Sequence, residues 1–356
     1  MPNTHHVTEF AGLPVVEFSS WEAIRGDFER AMHSARNQRR RREEYPSSYR
    51  RLFDAIAAPG SVAWRLKMEP PPFHLGPRHG QKKPFETLTE YLERFTDLVD
   101  RKRVHALIVG NIPDDDYQMR AEEAASALVG FAPKLTGLRS LFFGEILREE
   151  NEISWINLCD LAPLVSALPR LEELVVRGGT GDLGLRVPEH RSLRSLTVQS
   201  GALRPDVVRD VCASGLPALE HLELWLGAED YGGDTTPQDL APLLSGRAFP
   251  ELRSLGLRNA EYAGTWVRAL AESPVLPGLD TLDLSLGILC DKDAKPLLEA
   301  PAFRGLRRLD LHHHFLSEDM RERVREALPG VEVDLSDPQE PDVYGDRVYY
   351  YTAVSE

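Results

Sequence analysis

The sequence predicts an α/β solenoid, a right-handed horseshoe with parallel strands on its concave face and mostly helices on its convex face, behind an N-terminal cap. Three observations lead there. A six-residue apolar pattern recurs along most of the 356-residue chain: LRSLFF from Leu138, LEELVV from Leu171, LRSLTV from Leu193, LEHLEL from Leu219, LRSLGL from Leu252, LDTLDL from Leu279 and LRRLDL from Leu306. Within each piece alternate residues are apolar, as a strand with one buried face requires. Between the pieces the apolar spacing changes to that of a helix, and strand, helix and parallel strand at this interval coil right-handedly.

The elements follow in order. Residues 1–60 read as a cap: a hairpin around FAGLPVVEF, a helix carrying Trp21, Ile24 and Phe28, and an arginine-rich segment. SVAWRLKM (61–68) reads as an opening strand, EPPPFHLGPRHGQKKP (69–84) as a loop, and Phe85, Leu88, Leu92, Phe95 and Val99 as one face of a helix. VHALIV from Val104 begins the array and VEVDL from Val331 is its degenerate last member; the starts are separated by 34, 33, 22, 26, 33, 27, 27 and 25 residues. Several linkers carry helix signals. In SEDMRERVREALPG, Ser317 is placed to cap, Met320, Val324, Ala327 and Leu328 share a face, and Pro329 and Gly330 end the helix. RPDVVRDVCASG, TPQDLAPLLSG and DKDAKPLLEAP behave likewise, whereas the short unit between Leu171 and Leu193 has no helix signal. The expected boundaries are a cap at 1–60, the array at 61–337 and a C-terminal tail or closing strand at 338–356, where DRVYYYTAV is dense in β-formers.

Residues from about 100 to 337 resemble the leucine-rich-repeat superfamily, whose L-x-x-L-x-L core and period of about 20–29 residues they share. The longer strand–helix units are similar to the ribonuclease-inhibitor type. At the turn position usually held by Asn or Cys the chain has Gly179, Gly201, Gly227, Ala260, Gly287 and His314, so its turn chemistry departs from an asparagine ladder. EISWI, YGGD, DLAPLLSG and LDLHHH are similar to segments of an actinobacterial leucine-rich-repeat family. That resemblance implies a fold and no activity.

Composition narrows the function. The chain is 42% hydrophobic and 28% charged, as in soluble globular proteins, and no apolar run is long enough to span a bilayer. The N-terminus lacks the basic and apolar regions of a secretory signal. Cys159, Cys212 and Cys290 are scattered and odd in number, which fits a reduced, cytoplasmic setting without a disulfide framework or structural zinc. A net charge of −14 argues against general nucleic-acid affinity. Arg36–Arg51 runs the other way, with seven arginines against Glu43 and Glu44 (+5), so the rest of the chain sums to −19. That segment reads first as a solvated helix end and loop.

In the repeat, the residues beside the leucines face the concavity. One column runs Ile108, Phe142, Val175, Thr197, Glu223, Gly256, Asp283, Asp310, Asp334, and the next Gly110, Gly144, Arg177, Gln199, Trp225, Arg258, Ser285, His312, Ser336. Strands lie about 4.8 Å apart, so Asp283, Asp310 and Asp334 would form a like-charge ladder, relieved either by Arg258 and Arg308 or by a cationic partner. Of the triple histidine, His312 falls beside Asp310 on the concave face, His313 points to the rim, and His314 takes the turn position, where its imidazole supplies a hydrogen bond. Three successive side chains diverge, and His221 lies about 15 Å from the ladder by strand spacing, so a metal site is not expected.

No nucleophile elbow, phosphate-cradling loop or His-Glu-x-x-His motif is present, and the glycine-rich RGGTGDLG (177–184) reads as a loop. The expectation is a non-enzymatic scaffold without cofactor, away from membranes, that binds a protein or peptide, one with basic residues, through its concave face. The contact set is Phe142, Arg177, Glu223, Trp225, Arg258, Asp283, Asp310 and His312, with Trp225 as anchor. Two rival readings remain open: a metal-assisted hydrolase or peptide-modifying enzyme centred on Asp310 and His312, and docking on nucleic acid or membrane through Arg36–Arg51.

Overall fold

A computed structural model describes residues 5–21, 47–68, 86–114, 118–179 and 181–355. The predicted helix after Trp21, the loop at 69–84 and most of Arg36–Arg51 lie outside these residues; Arg50 and Arg51 fall on the helix Ser47–Ala57 and are exposed.

One twelve-stranded sheet runs through the molecule in sequence order: β1 (Glu9–Phe10), β2 (Leu13–Ser19), β3 (Ala63–Lys67), β4 (Ala106–Val109), β5 (Ser140–Phe143), β6 (Glu173–Arg177), β7 (Ser195–Gln199), β8 (His221–Gly227), β9 (Ser254–Ala260), β10 (Thr281–Asp283), β11 (Arg308–Asp310) and β12 (Glu332–Asp334). Every pairing from β2 to β12 is parallel, and only β1–β2 is an antiparallel hairpin. Each sequence repeat contributes one strand, the arrangement of a leucine-rich-repeat-like fold. The sheet starts earlier than the boundary at residue 61: β2 pairs with β3 along five residues, because Val16 and Phe18 continue its apolar alternation.

The alternating leucines form the core. Leu174, Leu196, Leu222, Leu255, Leu282 and Leu309 are buried in one continuous cluster with Leu164, Val208, Val267, Leu297 and Val324 from the linking helices, so helices pack on one face of the sheet. The predicted helices form at Leu88–Leu98, with Thr87 and Glu90 in a capping box, at Pro205–Cys212, Ala241–Leu244 and Lys295–Glu299, and at Glu318–Ala327, whose Met320 N–H donates to the Ser317 hydroxyl at 3.2 Å. Between β6 and β7 no helix forms among the described residues.

Backbone replaces the asparagine ladder at the turns. Ala228 N–H donates to Gly201 O, Ile288 N–H to Ala260 O and Phe315 N–H to Leu289 O, at 2.9–3.0 Å. A Cβ at Gly227 would lie 1.8 Å from Gly201 O, so this stacking requires glycine there. His314 fills its turn with a side chain: fully buried, it accepts from Leu316 N–H through Nδ1 (3.0 Å), with Nε2 3.2 Å from Leu335 O.

The C-terminal segment adds no strand to this sheet. Asp342–Tyr344 (β13) and Arg347–Tyr349 (β14) form a separate hairpin, exposed throughout, and residues 350–355, with a bend at Ala353, cross the turns of the preceding repeats. Its β-forming residues hold a hairpin and a strap rather than a closing strand. Among the described residues, no helix is long and apolar enough to cross a membrane.

Candidate functional site

The two columns form as registered lines on the sheet face opposite the helices. Ile108 stands opposite Phe142, Phe142 opposite Val175, Val175 opposite Thr197, Thr197 opposite Glu223, and Glu223 opposite Gly256; Gly256, Asp283, Asp310 and Asp334 follow in register. Arg177 pairs with Gln199 and Trp225 with Arg258 in the second column. The first column extends past its expected start through Arg65 to Glu17.

The two ends of this face differ. At the N-terminal end it is covered: Phe10 packs with Ala63, Ala106, Ile108 and Phe142, its ring 6.0 Å from that of Phe142. Phe142 is therefore buried beneath the β1–β2 hairpin and is not an open contact residue. Arg177 is buried too, its guanidinium 5.1 Å from the Phe142 ring and its Nε donating to Gln199 Oε1 at 2.8 Å; burial pushes its pKa down to about 10.

Beside it lies an ion cluster that sequence reasoning missed. Glu145 is completely buried; it receives Arg65 Nε at 2.9 Å and the Val7 N–H at 2.9 Å, with His6 Nδ1 at 3.0 Å. Burial acts to raise the Glu145 pKa, but the hydrogen bond from His6, the Arg65 charge and the Val7 amide outweigh it and hold the carboxyl below its usual range. The available signal was the lone acid within the apolar run FFGEIL.

Trp225 is 3% exposed and also not an open anchor, because Val354 of the C-terminal strap packs with it, Ile153 and Leu286. Its indole N–H donates to Glu223 Oε1 at 2.6 Å.

The C-terminal end of the face is acidic and partly exposed, its side chains ranging from 12% exposed at Asp310 to 39% at Arg308 and 70% at Glu332. Arg258 bridges Glu223 (Nη1–Oε1 3.1 Å) and Asp283 (Nε–Oδ2 3.2 Å), and its guanidinium lies 5.3 Å from the Trp225 ring centroid. Arg308 spans Asp310 (3.1 Å), Asp334 (3.4 Å) and Glu332 (2.9 Å). The expected ladder thus exists and is bridged within the protein, yet five carboxylates face two guanidinium groups. Burial raises the Asp283 pKa despite Arg258, whereas hydrogen bonds from Ser336 hold Asp334 low.

His312 keeps its expected place: Nδ1 is 2.7 Å from Asp310 Oδ1, which also accepts the His312 backbone N–H at 3.0 Å. Asp310, His312 and Asp334 bring one ligating atom each within 4.8 Å of one another, so the third member of a metal-binding set would be Asp334, not His221. His221 Nδ1 instead meets Ser254 Oγ at 2.9 Å. Arg308 already occupies the cationic position between the two carboxylates.

Other candidates carry less. The RGGTGDLG loop lines a polar cleft of about 590 Å³ with Ser200, Arg204 and Tyr231, and Arg204 there pairs with Asp206 at 3.0 Å. The thiols of Cys159 and Cys212 are pushed up to about 11, chiefly by burial, so neither is a thiolate at neutral pH.

No family model matches the chain, and no curated protein does. Among solved structures, a leucine-rich-repeat protein of Leptospira interrogans aligns over 78% of this chain and 90% of its own at 12% identity and a TM-score of 0.20. A Bacteroides fragilis protein, solved as a structural-genomics target, is 32% identical over 76% of this chain and 76% of its own, with a TM-score of 0.66. Identity of that level over three quarters of both chains makes this protein a member of the same family as the Bacteroides fragilis protein.

Proposed function

We propose that the chain is a right-handed leucine-rich-repeat solenoid, helices convex and the N-terminal segment capping it, that acts in the cytoplasm as a non-enzymatic scaffold. Its ligand is a protein or peptide bearing Lys or Arg, held on the C-terminal half of the concave face. The observation that carries this reading is the registered series Glu223, Asp283, Asp310 and Asp334: with Glu332 it presents five carboxylates against Arg258 and Arg308. A partially neutralised ladder gains from an incoming cation, and partly exposed side chains such as Arg308 and His312 can rearrange to admit one. The contact set narrows from the sequence expectation to Glu223, Arg258, Asp283, Asp310 and His312, with Asp334 and Arg308 added; Phe142, Arg177 and Trp225 support the face from beneath their covers.

The test is affinity capture from native lysate with wild type and an Asp310→Lys/Asp334→Lys variant of equal thermal stability, followed by titration of the captured partner against salt. The expected result is a partner lost by the variant and weakened steeply by salt. Undiminished capture by the variant would remove the acidic face from the proposal. A second reading, metal-assisted chemistry, draws on Asp310, His312 and Asp334 alone. Quantitative metal analysis of untagged protein decides it, since a purely protein-binding face needs no stoichiometric metal. Docking through Arg36–Arg51 falls mainly outside the described residues.

A further inference from the structure

Near the end of β9 and just beyond β10, β11 and β12 the chain repeats an uncommon backbone. Asn259, Leu286, His313 and Asp337 each lie three residues beyond the registered Gly256, Asp283, Asp310 and Asp334, and all have φ between +55° and +66°. Asn, Asp and His are the non-glycine residues that adopt this conformation most readily, whereas for a bulky Leu such as Leu286 it is rare and costs on the order of 1 kcal/mol. A left-handed residue recurring in four successive units, with the strained Leu286 among them, points to a task at that edge.

The first three of these residues meet the strap. Asn259 reads the Val354 peptide from both sides, its Oδ1 accepting the Val354 N–H at 3.0 Å and its Nδ2 donating to Val354 O. Leu286 O accepts the Ala353 N–H at 2.9 Å, and its side chain joins Ile153 and Trp225 in the pocket that buries the Val354 side chain. The His313 imidazole lies against the Tyr351 backbone, and Tyr350 sets its ring edge-on to Phe315 at 5.0 Å. At the far end Ser154 Oγ donates to Ser355 O at 3.0 Å, and Gly201 leaves the space, since a Cβ there would lie 2.6 Å from that oxygen. Main-chain bonds combined with one side-chain pocket are how an extended peptide is recognised.

The tether of this ligand is slight. Residues 342–350 are all exposed, and an isolated two-stranded hairpin is marginal in water. The hairpin also leaves Val343, Tyr344 and Val348 uncovered, at 63%, 67% and 51% exposure.

We infer that this groove is a peptide-recognition site in its own right, and that it takes the 350–355 segment of a second copy of the chain. Reciprocal exchange gives a two-fold pair in which each groove keeps the occupant it already fits, and the two exposed hairpins meet and cover each other. The groove meets the acidic face at the Trp225–Glu223 hydrogen bond, but the experiments below read binding of the tail and need no acidic-face partner.

Two full-length variants test it. Val354→Asp spoils the tail and leaves the groove; Asn259→Asp removes the donor to Val354 O and leaves the tail, with Gly201→Ala as a second groove variant should Asn259→Asp not fold. Each alone is expected to be monomeric by light scattering, and their mixture to form a 1:1 complex. In parallel, a labelled peptide of residues 346–355 is expected to bind the Val354→Asp protein saturably, and at least tenfold more weakly when the peptide carries Val354→Asp. A folded Val354→Asp protein that does not bind the peptide overturns the recognition site. Peptide binding without a mixed complex overturns the second copy as occupant.

Discussion

The indole N–H of Trp225 donates a 2.6 Å hydrogen bond to Oε1 of Glu223, and the same oxygen accepts from Arg258 Nη1 at 3.1 Å. One carboxylate therefore links the strap, which covers Trp225, to the acidic end of the face, which Glu223 and Arg258 begin. Trp225→Phe keeps most of the apolar surface and removes the donor. A hydrogen bond to a charged group contributes about 1.5–3 kcal/mol, so urea unfolding should show a loss in that range. Because Val354 packs on the same side chain, a double-mutant cycle with Val354→Ala should give a coupling above about 0.5 kcal/mol. Additivity of the two substitutions would mean that strap and acidic face are independent.

Arg258 is the cation that makes the middle of the ladder tolerable. Arg258→Met leaves Glu223 and Asp283 facing each other across Gly256 without a counter-charge, each less than one-fifth exposed. Removing one partner of a largely buried pair costs about 3 kcal/mol. Asp283→Asn should cost far less at neutral pH, about 1 kcal/mol or under. The folded-state pKa of Asp283 is raised, so its charge is itself unfavourable to the fold above the usual carboxylate range. Denaturant midpoints at pH 7 compare the two; equal losses would show that Arg258 acts through packing on Trp225 and not through charge.

The ladder was legible in the sequence because a strand's side chains alternate with period two and the leucines fix which face is buried, so the intervening residues fall into columns without further information. The covers over that face were not legible. Phe10 on Phe142 and Val354 on Trp225 join segments more than a hundred residues apart, and no periodicity marks such a contact. Asn259 illustrates the difficulty: in LGLRNA it looks like any polar residue ending a strand, and only its left-handed backbone and its bonds to Val354 single it out. His314 was readable because its turn position recurs along the repeats, held elsewhere by glycine or Ala260, so that a histidine there stands out as a side chain able to supply the turn's hydrogen bonds.

Acid should unfold this protein partly through its repeat-turn histidines. Burial lowers the pKa of His314, and of His313 beside it, below the ordinary value of 6.5. The unfolded state then binds more protons than the folded one as pH falls through 6.5. The stabilisation is complete above that pH and is lost progressively below it, by at most about 1.4 kcal/mol per pH unit for each histidine. Carboxylates held low, such as Glu145 and Asp334, add their loss only in a more acidic window. His314→Asn keeps a hydrogen-bonding group at the turn and removes one titration. Its unfolding free energy should therefore change more shallowly than wild type between pH 7 and 5. An unchanged slope would place the proton uptake elsewhere.

The cationic position between Asp310 and Asp334 can be contested. Arg308 holds both carboxylates but is 39% exposed, and Glu332 offers it another partner at 2.9 Å. A divalent ion entering between Asp310, His312 and Asp334 must displace that guanidinium, so its apparent affinity is reduced by whatever Arg308 contributes there. In untagged wild-type protein, zinc titrated by calorimetry should bind weakly. Arg308→Ala should tighten binding at least tenfold, and adding His312→Ala should abolish the gain. If Arg308→Ala leaves zinc affinity unchanged, the three side chains do not act as a ligand set, and the acidic face is left to recognise organic cations such as Lys and Arg. If wild-type protein already binds zinc tightly and stoichiometrically, Arg308 is a gate that the metal opens, and the metal-assisted reading gains over the scaffold.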